Sequence, residues 1–315
     1  MKHNLKITII LLVMFLITQF IGLAVIYADV FHRVTDTGEK VSNPQLSWVQ
    51  HPELETNKDF FSIFPSLIIA FIVAIILLFF LSKFKVEFFL RSWFFVVVAL
   101  ALWICIYAFE ILVPFLIHPK VAIIIPTIIS IPLAYIKIYK KNFLVHNITE
   151  LFIYPGIAAI FVPMVNIWTI IILLIIISIY DMWAVWHSGI MQKMARYQID
   201  NLNIFSGFFV PYVSKKVKLK LQKMRKELPK EELKTKKVKV NVAILGGGDI
   251  VFPIITAGVL MITPNLGIKY ALFAIFGALL GLSYLFFYAE KKKFYPAMPF
   301  ITLGIFIGML LAFLF

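Results

Sequence analysis

The chain has a single cysteine, Cys105, in 315 residues. That excludes a disulfide scaffold and any cysteine-built metal cluster. Charge is also scarce: 15% of residues are Asp, Glu, Lys or Arg, against about 25% in a soluble chain. Hydrophobic residues make up 62%, against roughly 45–50%. These proportions exclude an ordinary soluble domain and a disordered chain. Nothing alternates with period two as the strands of an outer-membrane barrel do. No His, Asp and Glu cluster has zinc spacing, so a zinc hydrolase is disfavoured. No serine sits in a nucleophile elbow. Convincing internal repeats are missing, which leaves a duplicated transporter without support.

What the sequence does have is long apolar blocks. They run Leu5–Tyr27, Phe61–Leu81, Trp93–Leu112, Val121–Tyr139, Leu151–Val165, Ile167–His187, Val240–Ile262, Ile268–Tyr288 and Pro296–Phe315. A membrane helix needs about 20 such residues. The expectation is an all-α polytopic membrane protein with nine transmembrane helices. The fifth block is short, rising only about 22 Å. Fusing it to the sixth would give a helix of about 55 Å in a hydrocarbon core of about 30 Å, and Pro155, Gly156, Pro163 and Asn166 mark breaks. The first block exceeds the 7–15 apolar residues of a signal peptide, so it reads as a retained helix despite a tolerable cleavage site at Ile26-Tyr27-Ala28.

Basic residues orient the blocks. Lys2 and Lys6 precede the first, Lys83, Lys85 and Arg91 lie between the second and third, and Lys137, Lys140 and Lys141 precede the fifth. Lys291, Lys292 and Lys293 precede the ninth. The segment from Asp29 to Phe60 holds six acids and three basic residues. The positive-inside rule then gives a cell-membrane protein with a cytoplasmic amino terminus and an external carboxyl terminus. The chain divides into a six-helix part (1–187), a basic cytoplasmic connector (188–239) and a three-helix part (240–315). The net charge of +14 suggests nucleic acid at first sight, but 14 of the Lys and Arg lie in the connector, with four acids. The connector has no aromatic platform, so it reads as a topology signal touching anionic lipid rather than a nucleic-acid site. Phe208, Phe209, Pro211 and Tyr212 suggest that its first part dips into the membrane interface.

Ionisable residues inside a span are costly and need a reason. Glu110 lies near an outer helix end, and His146 and Glu150 lie at the cytoplasmic edge of the fifth block. That leaves Asp181 in the sixth and Asp249 in the seventh. Asp181 lies about 9 Å from the cytoplasmic end of its block and Asp249 about 13 Å from the start of the next. Consecutive helices are usually neighbours, so the two carboxylates should face each other at similar depth. Such a pair holds one proton between two groups, as in an aspartic protease, where one group takes a proton from water and the other polarises the scissile carbonyl. An ion or small-solute carrier would use the same pair, and a non-catalytic scaffold would hold it only for packing. Gly246-Gly247-Gly248 before Asp249 weaken a helix and admit a second backbone. Pro296-Ala297-Met298-Pro299 opens the ninth block from the same side and leaves carbonyls without their usual partners.

These residues resemble the presenilin and signal peptide peptidase family of intramembrane aspartyl proteases. The matches are Tyr180-Asp181, Gly246-Gly247-Gly248-Asp249 and Pro296-Ala297-Met298-Pro299, within the strings YDMWAVWHSGIMQKMA and NVAILGGGDIVFP. The family's third motif reads Pro-Ala-Leu, and Met298 stands at the Leu. The resemblance implies nine helices and Asp181 and Asp249 as the catalytic pair. It implies active-site support from Tyr180, Gly246, Gly247 and Gly248, with substrate positioning by Pro296, Ala297, Met298 and Pro299. It implies no cofactor or metal, and transmembrane protein stubs or signal-peptide remnants as substrates. Size and the basic loop resemble archaeal members.

A helical substrate hides its carbonyls and must unwind before hydrolysis, and each freed backbone group in hydrocarbon costs several kcal/mol unless it is paired again. Strand addition is the obvious repair. Lys236-Lys237-Val238-Lys239-Val240 alternates Lys with Val just before the seventh block, so Val238 and Val240 are expected to form a strand when substrate binds.

Overall fold

The structure is a computed structural model. It describes residues 5–34, 40–46, 54, 56–83, 87–113, 123–140, 142–188, 206–212, 241–289 and 295–315. Nine helices lie among them: α1 (Leu5–Tyr27), α2 (Asn57–Lys83), α3 (Glu87–Leu112), α4 (Ile124–Tyr139), α5 (Phe143–Phe161), α6 (Ile167–Trp183), α7 (Gly248–Ile262), α8 (Ile268–Tyr288) and α9 (Met298–Leu314). Six meet the length and hydropathy needed to cross a membrane: α1, α2, α3, α5, α6 and α8, two of them counted with the short turns that follow. The helices α4, α7 and α9 are apolar but shorter. The chain is a multi-pass membrane protein.

The expected break between the fifth and sixth blocks is present. Pro163 lies in a 3-10 turn, Val162–Met164, and Asn166 then caps α6. Its side chain accepts from the Thr169 amide while the Thr169 hydroxyl accepts from the Asn166 amide, both at 2.9 Å. This reciprocal pair satisfies two amides that a helix start leaves open.

Several helix ends shift by a few residues from the sequence reading, and two starts shift by eight. The fifth helix starts at Phe143, not Leu151, because Asn142 accepts from the Leu144 and Val145 amides and caps it there. His146 and Glu150 are therefore buried within the helix rather than at its edge, and Asn147 is buried beside them. Lys137, read as a cytoplasmic marker, is buried in α4 and ion-paired with Glu150. The seventh helix starts at Gly248, not Val240. Residues Asn241–Gly246 form a strand, β4, antiparallel to β3 (Gly207–Tyr212). A second ribbon pairs β1 (His32–Val34) with β2 (Lys40–Ser42). These ribbons are small additions to an otherwise helical fold.

The helices α1, α5 and α7 pack on one another at the centre. Leu11, Phe15, Ala158, Ile250 and Ile254 fill their contact, and Phe208, Ala243 and Leu245 of the ribbon join the same core. Phe208, expected at the membrane interface, is fully buried. In lipid, close packing drives helix association more than water exclusion does, so small residues matter. Gly277 and Gly281 of α8 meet Gly304 and Gly308 of α9, and a β-carbon at any of the four would overlap the opposing backbone. This seam fixes α9, whose first residues reach the candidate site. The helix α2 lies at the periphery against α6, with most of its apolar side chains exposed.

Candidate active site

Asp181 sits on the last turns of α6, just before a single π-helical segment, Ala184–Ser188. Such widened turns recur at functional sites. Its side chain is buried, and Oδ2 accepts a hydrogen bond from the Met298 amide at 3.0 Å. The local sequence explains the donor. Met298 is the first residue of α9, where amides have no partner within the helix. Pro299 has no amide, and Pro296-Ala297 lead in without being helical. A carboxylate against the first amide of a helix is also favoured by the helix dipole. One turn away, the Ser178 hydroxyl donates to Thr302 Oγ1 at 2.9 Å and ties α6 to α9 again.

Asp249 lies in the first turn of α7, immediately after β4. Its carboxyl folds back toward the strand end, and a β-carbon at Gly246 would lie 3.2 Å from Asp249 Oδ2. Gly247 is wedged more tightly: a β-carbon there would lie 2.8 Å from both the Ser206 hydroxyl and the Tyr154 hydroxyl. Gly248 has space around it, with Phe252 at 3.9 Å. The neighbouring Ile250 carbonyl accepts from Gln19 Nε2 at 3.1 Å, so α1 also braces the start of α7. A lone carboxamide in the 23 residues of α1 was the available signal for Gln19, and the sequence reading passed over it.

The structure thus joins Asp181 to the Pro296–Pro299 segment, and Asp249 to Gly246, while Gly247 packs on Ser206 and Tyr154. The helices carrying them are mutual neighbours, since α6, α7 and α9 pack pairwise. Tyr180, next to Asp181 in the chain, is 40% exposed, and its ring lies 6.4 Å from that of Trp183. Val238 and Val240 lie outside the described residues, as does most of the connector. Among the described residues no group of three His, Cys, Asp or Glu could hold a metal ion.

The ribbon beside Asp249 has two unlike edges. In an antiparallel pair, alternate residues bond across and the others turn their backbone groups outward. Both backbone groups of Phe209 go to Asn147 of α5, at 2.9 and 3.1 Å, so Phe209 and its partner Ile244 are an outward-turned pair. By the same alternation Gly207, Pro211, Val242 and Gly246 also turn outward. On β3 much of that edge is occupied. His146 Nε2 meets the Gly207 carbonyl at 2.9 Å, and Pro211 has no amide. On β4 the edge formed by Val242, Ile244 and Gly246 has no hydrogen-bond partner among the described residues. It runs directly toward Asp249.

Comparison with known proteins follows the same line. The family model described as signal-peptide peptidase, presenilin aspartyl protease matches residues 39–315. The chain belongs to that family. Two solved structures share its fold, both of a presenilin family intramembrane aspartate protease. The form in space group C222 has a TM-score of 0.59 at 16% identity, over 98% of each chain. The form in space group P2 has a TM-score of 0.58 at 16% identity, over 96% of each chain. The search of curated proteins gave no match.

Proposed function

We propose that this protein is an intramembrane aspartyl endopeptidase with Asp181 and Asp249 as its catalytic pair. The observation that carries the reading is the capture of Asp181 by the Met298 amide, which brings the Pro296–Pro299 segment to one aspartate. The packing of α6 and α9 on α7, which carries Asp249, supports the pairing.

The chemistry follows from two carboxyl groups sharing one proton. The ionised group takes a proton from water as the water oxygen attacks the peptide carbonyl. The protonated group donates to the carbonyl oxygen, on which charge develops. When the tetrahedral intermediate collapses, the C–N bond breaks, the nitrogen leaves with the proton first taken from water, and one hydroxyl proton of the intermediate returns to the other carboxylate. The Met298 amide would hold the Asp181 carboxyl in one orientation throughout. The substrate is a transmembrane segment, unwound locally, whose freed backbone adds to the open edge of β4. Val242, Ile244 and Gly246 offer the groups that hydrocarbon cannot. The Val238 and Val240 stretch would extend that edge, and Pro296–Pro299 would flank the substrate on its other side. The helices cross nine times with the amino terminus inside, so the aspartates lie nearer the cytoplasmic face, and the basic connector rests on anionic lipid.

The test is cleavage of a labelled transmembrane peptide by the purified protein in bilayers. An aspartyl transition-state analogue should block it, while a metal chelator leaves the rate unchanged. Aspartate-dependent ion flux with no cleavage product would replace this reading with a carrier.

A further inference from the structure

The β3–β4 ribbon is short and apolar on both faces: Ala243 and Leu245 are buried, and Val242 and Ile244 are exposed but equally apolar. Register is normally enforced because a one-residue slip moves apolar side chains into water. Here that penalty is weak, so something else must hold the ribbon in place. The side chains of α5 do so. The Asn147 carboxamide imitates one residue of a third strand: Oδ1 accepts from the Phe209 amide, and Nδ2 donates to the Phe209 carbonyl. Nδ2 also donates to the Phe143 carbonyl at 3.3 Å, so a flipped carboxamide would set oxygen against two carbonyls. His146 must carry its proton on Nε2 to bond the Gly207 carbonyl. Gly207 has φ +143°, a region that favours glycine and that turns its carbonyl to this donor. The rings of Phe143 and His146 lie 5.3 and 4.6 Å from that of Phe209, so the same residue is gripped by backbone and side chain. The grip is anchored in turn. Glu150 Oε1 lies 3.6 Å from His146 Nε2 and pairs with Lys137 of α4.

We infer that Asn147 and His146 are positioning residues: they fix the β3–β4 ribbon so that the open edge of β4 presents one bond of an added peptide to Asp249. The inference rests on the proteolytic reading above. Strand pairing repeats every two residues, about 7 Å along the chain, so a ribbon that slides or peels offers Asp249 a different bond. Loss of the clamp should therefore scatter the cut as well as slow it, which a general loss of stability does not do.

The experiment compares wild type, Asn147→Ala, His146→Ala and His146→Gln, with Ile148→Ala as control, since Ile148 is exposed on the same helix. Two readouts are taken: rate and product masses on a transmembrane peptide, and amide hydrogen exchange without substrate. Asn147→Ala should lower kcat at least tenfold and spread one dominant cut over several neighbouring bonds. It should speed exchange in 207–212 and 241–246 while 250–260 stays protected. His146→Ala should do the same more mildly, and His146→Gln should recover the wild-type pattern, because its Nε2 can reach the same carbonyl. If Asn147→Ala loses protection throughout, the His146 pair decides. Wild-type products and exchange in Asn147→Ala and His146→Ala would overturn the inference. If wild type cleaves nothing while exchange in the ribbon still responds to the clamp, the proteolytic reading fails and the clamp on the ribbon stands.

Discussion

Two aspartates carry the account, and their neighbours set what each substitution should do. Asn at position 181 keeps an oxygen for the Met298 amide, so Asp181→Asn should fold normally. It removes the proton exchange, and general acid–base catalysis contributes about 10²–10⁴-fold. Loss of rate by at least that factor, with an unchanged melting temperature, is the expected result. Asp181→Ala differs, since it leaves the buried amide unpaired, which costs about 1–3 kcal/mol. A thermal-melt comparison of the two variants should show Ala clearly less stable than Asn. Much of this was legible in the sequence, because an acid inside an apolar block stands out. The contribution of Met298 was not. Its amide is the donor, and a backbone group has no signature in the identity of the residue that bears it. His146 and Glu150 were visible but misplaced, because polar residues near a block's end look like an edge until their burial partners are known.

At the scale of elements, β4 and the α8–α9 seam do the most. Ile244 turns its amide away from β3, so Ile244→Pro should leave the ribbon intact while removing one donor from the edge offered to substrate. Cleavage should fall at least tenfold, with little change in thermal stability; an unaffected rate would show that substrate does not use this edge. Gly304→Val should push α9 from α8, since the Gly277 carbonyl occupies the space a β-carbon needs. A lower melting temperature and lost cleavage are expected together, because α9 also delivers Met298 to Asp181. Most helices were legible through their apolar length: the first and eighth blocks, Leu5–Tyr27 and Ile268–Tyr288, coincide with α1 and α8. The strand β4 was hidden, because NVAILG continues directly into an apolar helix. A buried strand and a buried helix start look alike in composition. Only the alternation of exposed Val242 and Ile244 with buried Ala243 and Leu245, which needs the fold, separates them.

For the whole molecule, orientation and activity are separate questions. Cys105 is buried, so Cys105→Ala provides a background for single cysteines probed with an impermeant thiol reagent in intact cells. Ser42→Cys, on exposed β2, should label from outside, and Lys220→Cys, in the basic connector, should not. Reversed labelling would move the aspartates toward the external face without touching their chemistry. The central claim, that Asp181 and Asp249 hydrolyse peptide bonds within the membrane, is tested most directly by product mass. Wild type, Asp181→Asn and Asp249→Asn are reconstituted with one transmembrane peptide, and the fragments are weighed. Wild type should yield two fragments whose masses sum to the peptide plus one water, and neither Asn variant should yield any. Fragments from either variant at the wild-type rate would contradict that claim.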